Sequence, residues 1–288
     1  MMSGMSTPFL NVEEVHSEWR EKVKHSPTSR RLVRRFFGRG TPSKTKKEPA
    51  TSRSPRGDEA LPPVPSLYVS KRGAKRGAEA WARTLKWRRA HGVDSVLGEA
   101  QTSCGKIKRL YPHYLHGTTP SGDVLFFELL GRLDTSVEVD KATLVRHFAF
   151  VHEYLSASRL GEETRLVSVL DAAGLTWSSV NSRFYGLVSA ASECTENLVP
   201  FRTRRVYVIN APPWFGTVFA SLQRVLPQSV RETVRVVPER DRASTLAGLC
   251  GADLPSDYGG AGPPLGAHDA EQVFAAVVEA SLLRGGAP

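Results

Sequence analysis

The sequence predicts an α/β protein with a mainly parallel sheet. Short apolar segments alternate with longer segments in which apolar residues recur at helical spacing. From residue 124 to residue 237 the order is strand, helix, strand, helix, strand, helix, strand. Because a helix that joins two parallel strands makes a right-handed crossover, these helices should cover the sheet.

Turn and proline signals limit four predicted strands, at 124–127, 165–171, 206–209 and 233–237. The turn Pro120-Ser-Gly-Asp123 precedes the first strand, and Ala172-Ala-Gly174 follows the second. Pro212 and Pro213 end the third strand, since proline lacks the N–H that a sheet needs.

Three helices connect these strands, at 138–160, 177–198 and 214–226, and Pro227 ends the last of them. Spacings of three and four residues give the inner faces of the first two. These faces are Leu144, Phe148, Val151 and Leu155 in the first helix, and Val180, Phe184, Leu187, Val188 and Ala191 in the second.

The third helix is unusually aromatic. Its apolar face consists of Trp214, Phe215, Val218, Phe219, Leu222, Val225 and Leu226. Periodicity alone allows two interpretations: a helix that only covers the sheet, or a helix whose apolar face binds something.

Other segments flank this array. A helix at 78–91 ends before Gly92, and an amphipathic helix at 270–283 either packs back on the domain or caps an oligomer. Residues 1–66 contain a linker of proline, serine, threonine and charged residues, so this region is predicted to be basic and largely disordered.

The net charge of +10 is concentrated near the N-terminus. Residues 1–110 hold 24 Lys and Arg against 10 Asp and Glu, whereas residues 111–288 hold 15 against 19. Such asymmetry indicates a polyanionic partner, either nucleic acid or an anionic membrane, or else a solvated basic tail. No nucleic-acid-binding motif accompanies it, so we favour the membrane.

The remaining composition predicts a cytoplasmic protein that associates peripherally with membranes. No apolar stretch is long enough to span a bilayer, and the N-terminus lacks the apolar core of a signal peptide. Cys104, Cys194 and Cys250 are far apart and have no metal-ligand spacing, which is typical of reduced thiols.

Catalytic patterns are weak, and we expect no enzyme activity, no metal and no cofactor other than a bound lipid. Ser168 lies inside a predicted strand without the Gly-x-Ser-x-Gly turn of a serine nucleophile. His113 and His116 are placed in a turn without an acidic pair, which favours a structural role over a metal site. Gly73 and Gly77 lack the Gly-Lys-Ser/Thr end of a phosphate loop.

Four motifs occur in a specific order: YPHYLHGTTPSGDVLFFELLGRLD (111–134), VSVLDAAGL (167–175), VYVINAPPWFGTVF (206–219) and LPSDYGG (254–260). Together they resemble the CRAL-TRIO lipid-binding family, the domain of fungal phosphatidylinositol transfer proteins. The resemblance covers about residues 105–260. It implies a helical lobe at 67–104, a lipid-binding domain at 105–260, and a linker with a C-terminal helix at 261–288.

The resemblance implies a lipid cavity closed by the helix at 213–226, which we call the gate helix. The implied lining is Phe148, Val151, Leu155, Ser168, Leu170, Phe184 and Trp214, and the implied gate residues are Trp214, Phe215, Val218, Phe219 and Leu222. The expected function is non-enzymatic lipid binding and transfer at membranes. The alternative is a lipid-sensing adaptor that is recruited to membranes and uses its basic N-terminal arm to bind partners.

The implied headgroup site departs from the family pattern. Phosphatidylinositol-binding members have a Glu and a Lys at positions that here are Phe201 and Thr233, and of a hydroxyl pair used for phosphatidylcholine only Ser168 remains, because the other position is Leu166. We therefore expect a less polar lipid, such as a sterol, a fatty acid or a tocopherol-like isoprenoid. The candidates for contact with a lipid or membrane phosphate are Arg202, Arg204 and Arg205.

Overall fold

The computed structural model describes residues 62–158, 164–198, 200–222, 226 and 228–285. Within them, five strands form one sheet in the order β1-β2-β3-β4-β5. They are β1 His113–Thr118, β2 Val124–Glu128, β3 Leu166–Asp171, β4 Thr203–Ile209 and β5 Val234–Val236. β1 pairs antiparallel with β2, and the other three pairs are parallel, which confirms the predicted fold class.

Nine α-helices lie within the described residues. They are α1 Ser66–Arg72, α2 Ala74–Ala90, α3 Cys104–Leu110, α4 Lys141–Ser158, α5 Ser182–Asn197, α6 Phe215–Leu222, α7 Gln228–Arg231, α8 Glu239–Cys250 and α9 Asp269–Gly285. Short 3-10 helices at Val93–Gly98, Leu130–Arg132, Trp177–Ser179, Gly251–Asp253 and Ser256–Tyr258 complete the chain. α6 lies within the predicted span of the gate helix; residues 223–225 of that span lie outside the described residues.

The sequence predicts four of the strands and misses β1. The prediction that His113 and His116 lie in a turn is wrong, because both lie in β1 and are buried. The imidazole of His113 lies 3.1 Å from that of His147, and His116 Nε2 lies 2.7 Å from the carbonyl oxygen of Asp253. β1 contains no β-branched residue before Thr118 and includes Gly117 at φ 68, so it lacks the usual strand signal.

The two faces of the sheet are covered by different helices. Leu125, Phe127, Val167, Val169 and Ile209 pack in one cluster with Leu246 and Cys250 of α8. The alternate residues of β2, β3 and β4 face the other way, toward α4, α5 and α6, because successive side chains of a strand point to opposite faces. The sequence does not predict α8, which carries few apolar residues.

The C-terminal helix packs back on the domain, which settles one question that the sequence left open. Glu271 of α9 is buried, accepts a hydrogen bond from the backbone N–H of Leu115 at 2.9 Å and forms an ion pair with Lys108. The ring of Phe274 lies 5.7 Å from Phe150 and 5.0 Å from Tyr154. α9 therefore belongs to the main hydrophobic core.

The N-terminal helices α1 and α2 form a close pair. Tyr68 Oη lies 2.9 Å from Thr84 Oγ1, and both residues are buried. A Cβ atom at Gly77 would lie 2.8 Å from the carbonyl oxygen of Tyr68, so Gly77 permits the close approach of the two helices. Of the predicted disordered region, only residues 62–66 are among the described residues.

Among the described residues, no helix is both long and apolar enough to cross a membrane.

Candidate functional site

A cavity lies between the sheet and the helices α4, α5 and α6. The space open to the centre of a water-sized molecule is about 170 Å³. Its lining is Tyr111, Phe126, Glu128, Leu130, Phe148, Val151, His152, Leu155, Leu166, Ser168, Leu170, Phe184, Leu187, Val188, Ala191, Ser192, Thr195, Thr203, Val206, Val208, Phe215, Phe219, Leu222, Leu226, Val230 and Val234. Most of these side chains are apolar, so the cavity is suited to a hydrophobic molecule.

The sheet contributes every second residue of its strands to this lining. Phe126 and Glu128 come from β2, and Leu166, Ser168 and Leu170 come from β3. The parallel register places Phe126 beside Ser168 and Glu128 beside Leu170. Strand alternation therefore forms one side of the cavity.

The gate helix forms the opposite side. Phe215, Phe219 and Leu222 line the cavity, and their spacing of four and three residues places them on one helix face. Phe215 and Leu222 are buried, and the rings of Phe215 and Phe219 stack 6.3 Å apart. The gate helix thus contributes an apolar wall to the cavity beside those of α4 and α5.

Six of the seven predicted lining residues face this cavity: Phe148, Val151, Leu155, Ser168, Leu170 and Phe184. Trp214 does not; its indole stacks on Trp177 at 4.5 Å with an interplanar angle of 27°. Trp214 precedes α6, whereas the gate residue Val218 lies within α6, is buried and is also absent from the lining. The sequence pattern did not separate these two residues from the cavity-lining ones.

Residues 108–260, a little over half of the chain, match the CRAL/TRIO domain. The chain belongs to the CRAL/TRIO family. Its architecture resembles the crystal structure of Sfh5, with a TM-score of 0.50 and 17% identity over 64% of this chain and 66% of that chain. At this identity the likeness concerns the fold alone.

Relatives with longer chains share this CRAL/TRIO domain. "SEC14 cytosolic factor" of Yarrowia lipolytica is 29% identical over 195 residues, which cover 63% of this chain and 39% of that protein. "Phosphatidylinositol/phosphatidylcholine transfer protein SFH9" of Arabidopsis thaliana is 23% identical over 219 residues, which cover 72% of this chain and 38% of that protein. The chain therefore spans less than half the length of these two relatives.

The sequence predicted Ser168 in the CRAL/TRIO cavity but not the other polar groups of its lining, above all Glu128. Burial raises the pKa of the Glu128 carboxyl to about 7, and a hydrogen bond with Ser168 acts in the opposite direction. The signal was present, because Glu128 follows the predicted strand 124–127 in the same alternation as Phe126. His152 also lines the cavity, and burial, together with the charge of Arg202, lowers its pKa to about 4.

The two departures from the family's headgroup pattern lie outside the lining. Phe201 has φ 72, and its ring lies 5.8 Å from Tyr68 and 5.3 Å from the guanidinium of Arg72. The hydroxyl of Thr233 donates to the carbonyl oxygen of Val230 at 2.6 Å. Neither side chain offers a charge to a ligand.

The three arginines near β4 also lie outside the lining. Arg204 is paired with the buried Asp123 at 2.5 Å. The Arg202 guanidinium is half-buried and donates to the carbonyl oxygen of Thr164 at 3.4 Å, whereas Arg205 is exposed. Arg204 is also exposed, but of these three only Arg205 combines exposure with a side chain that forms no ion pair with another described residue.

Proposed function

We propose that this chain binds a lipid in the cavity and transfers it between membranes. The observation that carries this proposal is the composition of the cavity: its lining is mostly apolar, and it is enclosed by the sheet, by α4 and α5, and by the apolar face of the gate helix. The gate helix is short, and one of its sides carries aromatic and aliphatic side chains. Such a helix can close over an apolar ligand, and its movement exposes an apolar entrance.

The cavity volume supports a gate that has to move. Sites for small molecules usually measure about 300–1,000 Å³, and the cavity has about 170 Å³. A lipid with long hydrocarbon chains therefore requires displacement of Phe215, Phe219 and Leu222. The structure corresponds in this proposal to the closed form.

The polar groups of the cavity favour a cargo with a small uncharged polar group. Glu128, with its pKa near 7, is partly neutral at physiological pH and can donate a hydrogen bond to a hydroxyl or carbonyl oxygen. Ser168 lies beside it. Because Phe201 and Thr233 bring no charge to the cavity, this cargo class agrees with the less polar lipid expected from the sequence.

Membrane contact is assigned to Trp177 and Trp214. The side chain of Trp177 is 56% exposed, although it stacks on Trp214. Segments 172–182 and 211–222, which contain these two residues, include no charged residue. Indole groups favour the boundary between lipid headgroups and hydrocarbon, so the pair is suited to a bilayer surface.

A basic surface on α1 and α2 supplies long-range attraction to anionic lipids. Seven exposed cations belong to it: Lys71, Arg72, Lys75, Arg76, Arg83, Lys86 and Arg89. None forms an ion pair with another described residue, in contrast to Arg88, which pairs with Asp94 and Glu153. Each such charge near an anionic membrane contributes about 1 kcal/mol of attraction.

Reversal of four charges on this surface should weaken binding to anionic vesicles. The variant Lys75→Glu, Arg76→Glu, Arg83→Glu, Lys86→Glu is expected to lose at least about tenfold in affinity at low salt, and the loss should shrink as salt screens the charges. Vesicle co-sedimentation over a series of salt concentrations measures this. A control reverses four exposed cations elsewhere, Lys106, Arg109, Arg235 and Arg240. Equal losses in both variants would assign the effect to net charge alone.

Glu128 should make the stability of the lipid-free protein depend on pH. The pKa of Glu128 in the folded protein is raised from 4.5 to about 7. The free energy by which this group stabilises the folded state is therefore fully present below pH 4.5, and it falls by about 3 kcal/mol as the pH rises to 7. Denaturant unfolding at several pH values should show this decline in the wild type and not in Glu128→Gln. Ser168→Ala, which removes a bond that favours the ionised carboxyl, should extend the decline to higher pH. Parallel pH profiles for wild type and Glu128→Gln would contradict this assignment.

Transfer between vesicles tests the proposed function. Donor vesicles containing a fluorescent sterol or fatty-acid analogue are mixed with unlabelled acceptor vesicles and catalytic amounts of protein. The transfer rate should rise in proportion to protein concentration, and it should persist when residues 1–61 are removed. Vesicle binding without transfer would contradict the proposal and would favour a recruitment adaptor.

A further inference from the structure

We infer that Asn210 is the positioning residue of the gate: its side chain anchors the start of the gate segment to the sheet and to α8. The moving part then begins after Asn210. This inference rests on the proposed function, because it concerns how the gate moves. It is carried by a hydrogen-bonded cluster of Asp171, Asn210, Arg242 and Tyr258, which come from four separate parts of the chain.

The backbone at Asn210 changes direction sharply. Asn210 follows the last residue of β4 and has φ 53, one of two positive φ values at non-glycine residues among the described ones. Asparagine tolerates this left-handed conformation better than most residues. Pro212 and Pro213 come next, and α6 begins at Phe215. The turn therefore converts the end of a central strand into the gate within a few residues.

The side chain of Asn210 bonds in two directions. Its Nδ2 donates to Asp171 Oδ1 at 2.7 Å, and its Oδ1 accepts a hydrogen bond from the guanidinium of Arg242 in α8. Arg242 is also held by Glu239 at 2.8 Å. Asn210 is thus fixed between the carboxyl end of β3 and a helix on the far face of the sheet.

Asp171 is the centre of this cluster. Its Oδ1 accepts a second hydrogen bond from the backbone N–H of Ala173 at 2.9 Å, and its Oδ2 accepts one from the hydroxyl of Tyr258 at 2.9 Å. A backbone hydrogen bond from Ala172 to the carbonyl oxygen of Ile209 adds a further link between β3 and β4. Hydrogen bonds to a carboxylate are stronger than those between neutral groups, so the cluster is a rigid support.

The gate beyond Asn210 is attached much more weakly. Within the described residues, the only side-chain hydrogen bond from segment 211–222 to another element joins Tyr185 Oη and Ser221 Oγ at 2.9 Å. Its other contacts are apolar: the stack of Trp214 on Trp177 and the packing of Phe215, Val218 and Leu222. Apolar contacts are non-directional and can be exchanged for contacts with lipid. The anchor can therefore stay in place while segment 211–222 swings.

Asn210→Gly tests this inference, because glycine adopts the positive φ without strain and lacks the side chain that makes these bonds. Hydrogen exchange in the lipid-free protein is the readout. The backbone amides of 214–222 should exchange about tenfold faster than in the wild type, since two polar contacts of the turn are lost. The amides within β3 and β4 should change little. Lipid release from the loaded protein should accelerate in the same variant.

A control separates positioning from general loss of stability. Ser281→Ala removes the 3.0 Å hydrogen bond from the backbone N–H of Gln101 to Ser281, at a buried site that does not contact the gate. This variant should leave exchange in 214–222 unchanged. Tyr258→Phe removes one support of Asp171 but no bond of Asn210, so it should accelerate hydrogen exchange in 214–222 by less than Asn210→Gly does. If Asn210→Gly does not fold, the exchange rates of Tyr258→Phe test the inference in its place.

Two results would overturn the inference: unchanged exchange in 214–222, or acceleration of equal size in the gate and in the sheet. Neither depends on lipid transfer. If the gate amides respond as expected and no transfer is found, the anchor stands and the proposed function fails. If transfer is found and the gate amides do not respond, the function stands and the anchor fails.

Discussion

Ala191→Trp is expected to abolish lipid binding by filling the cavity. Ala191 lies on α5 and lines the cavity, where an indole would take up much of the space open to a ligand. Because the new side chain enters an existing cavity and not a packed core, the protein should remain folded. Binding of a fluorescent lipid analogue should fall below detection, and circular dichroism should report an unchanged fold.

Ser189→Trp is the matched control for this variant. Ser189 lies two residues away on the same helix, does not line the cavity and is not fully buried. It introduces the same side chain and should retain lipid binding. Undiminished lipid binding in Ala191→Trp would show that the ligand, if any, occupies another part of the molecule.

Trp177→Ala with Trp214→Ala should remove most of the affinity for neutral vesicles. Transfer of the exposed half of the Trp177 indole, roughly 100 Å², into the membrane boundary contributes about 2.5 kcal/mol at about 25 cal/mol per Å², and the partly buried Trp214 contributes less. Loss of both should weaken vesicle binding by at least about 100-fold. Co-sedimentation with uncharged vesicles isolates this contribution from that of the basic surface on α1 and α2.

Trp81→Ala provides the control for the loss of an indole. Trp81 lies on α2, donates a hydrogen bond to the carbonyl oxygen of Pro62 at 3.1 Å and packs against Tyr68. It is distant in the chain from both uncharged segments and should not affect binding to neutral vesicles. A similar loss in Trp81→Ala would contradict the assignment of the membrane contact to Trp177 and Trp214.

The sequence predicted the parallel sheet and most of its helices because period-two and helical patterns report burial directly. It failed where those patterns were weak. β1 contains two buried histidines and a glycine, and α8 has few apolar residues, so neither carried a clear periodic signal. Their positions depend on pairing with β2 and on covering the sheet, which are contacts distant in the chain.

The residues of the candidate site were also predicted only in part. Phe148, Val151, Leu155, Ser168, Leu170 and Phe184 lie in the cavity because each occupies the inner face of its element. Trp214 lies elsewhere, because it stands in the turn before α6 and its indole stacks on Trp177. The apolar spacing of 214–226 does not show where that helix begins. The polar anchor of Asp171 and Asn210 was equally hidden, since the two residues are 39 positions apart.

The mass of any lipid bound to the purified protein tests the central claim most directly. Extraction and mass spectrometry of the wild type should find one lipid molecule per chain, with a small polar group, whereas Ala191→Trp prepared in the same way should carry none. A wild-type protein that holds no lipid after purification, and acquires none from vesicles, would contradict the account. Equal amounts of lipid on the wild type and on Ala191→Trp would also contradict it.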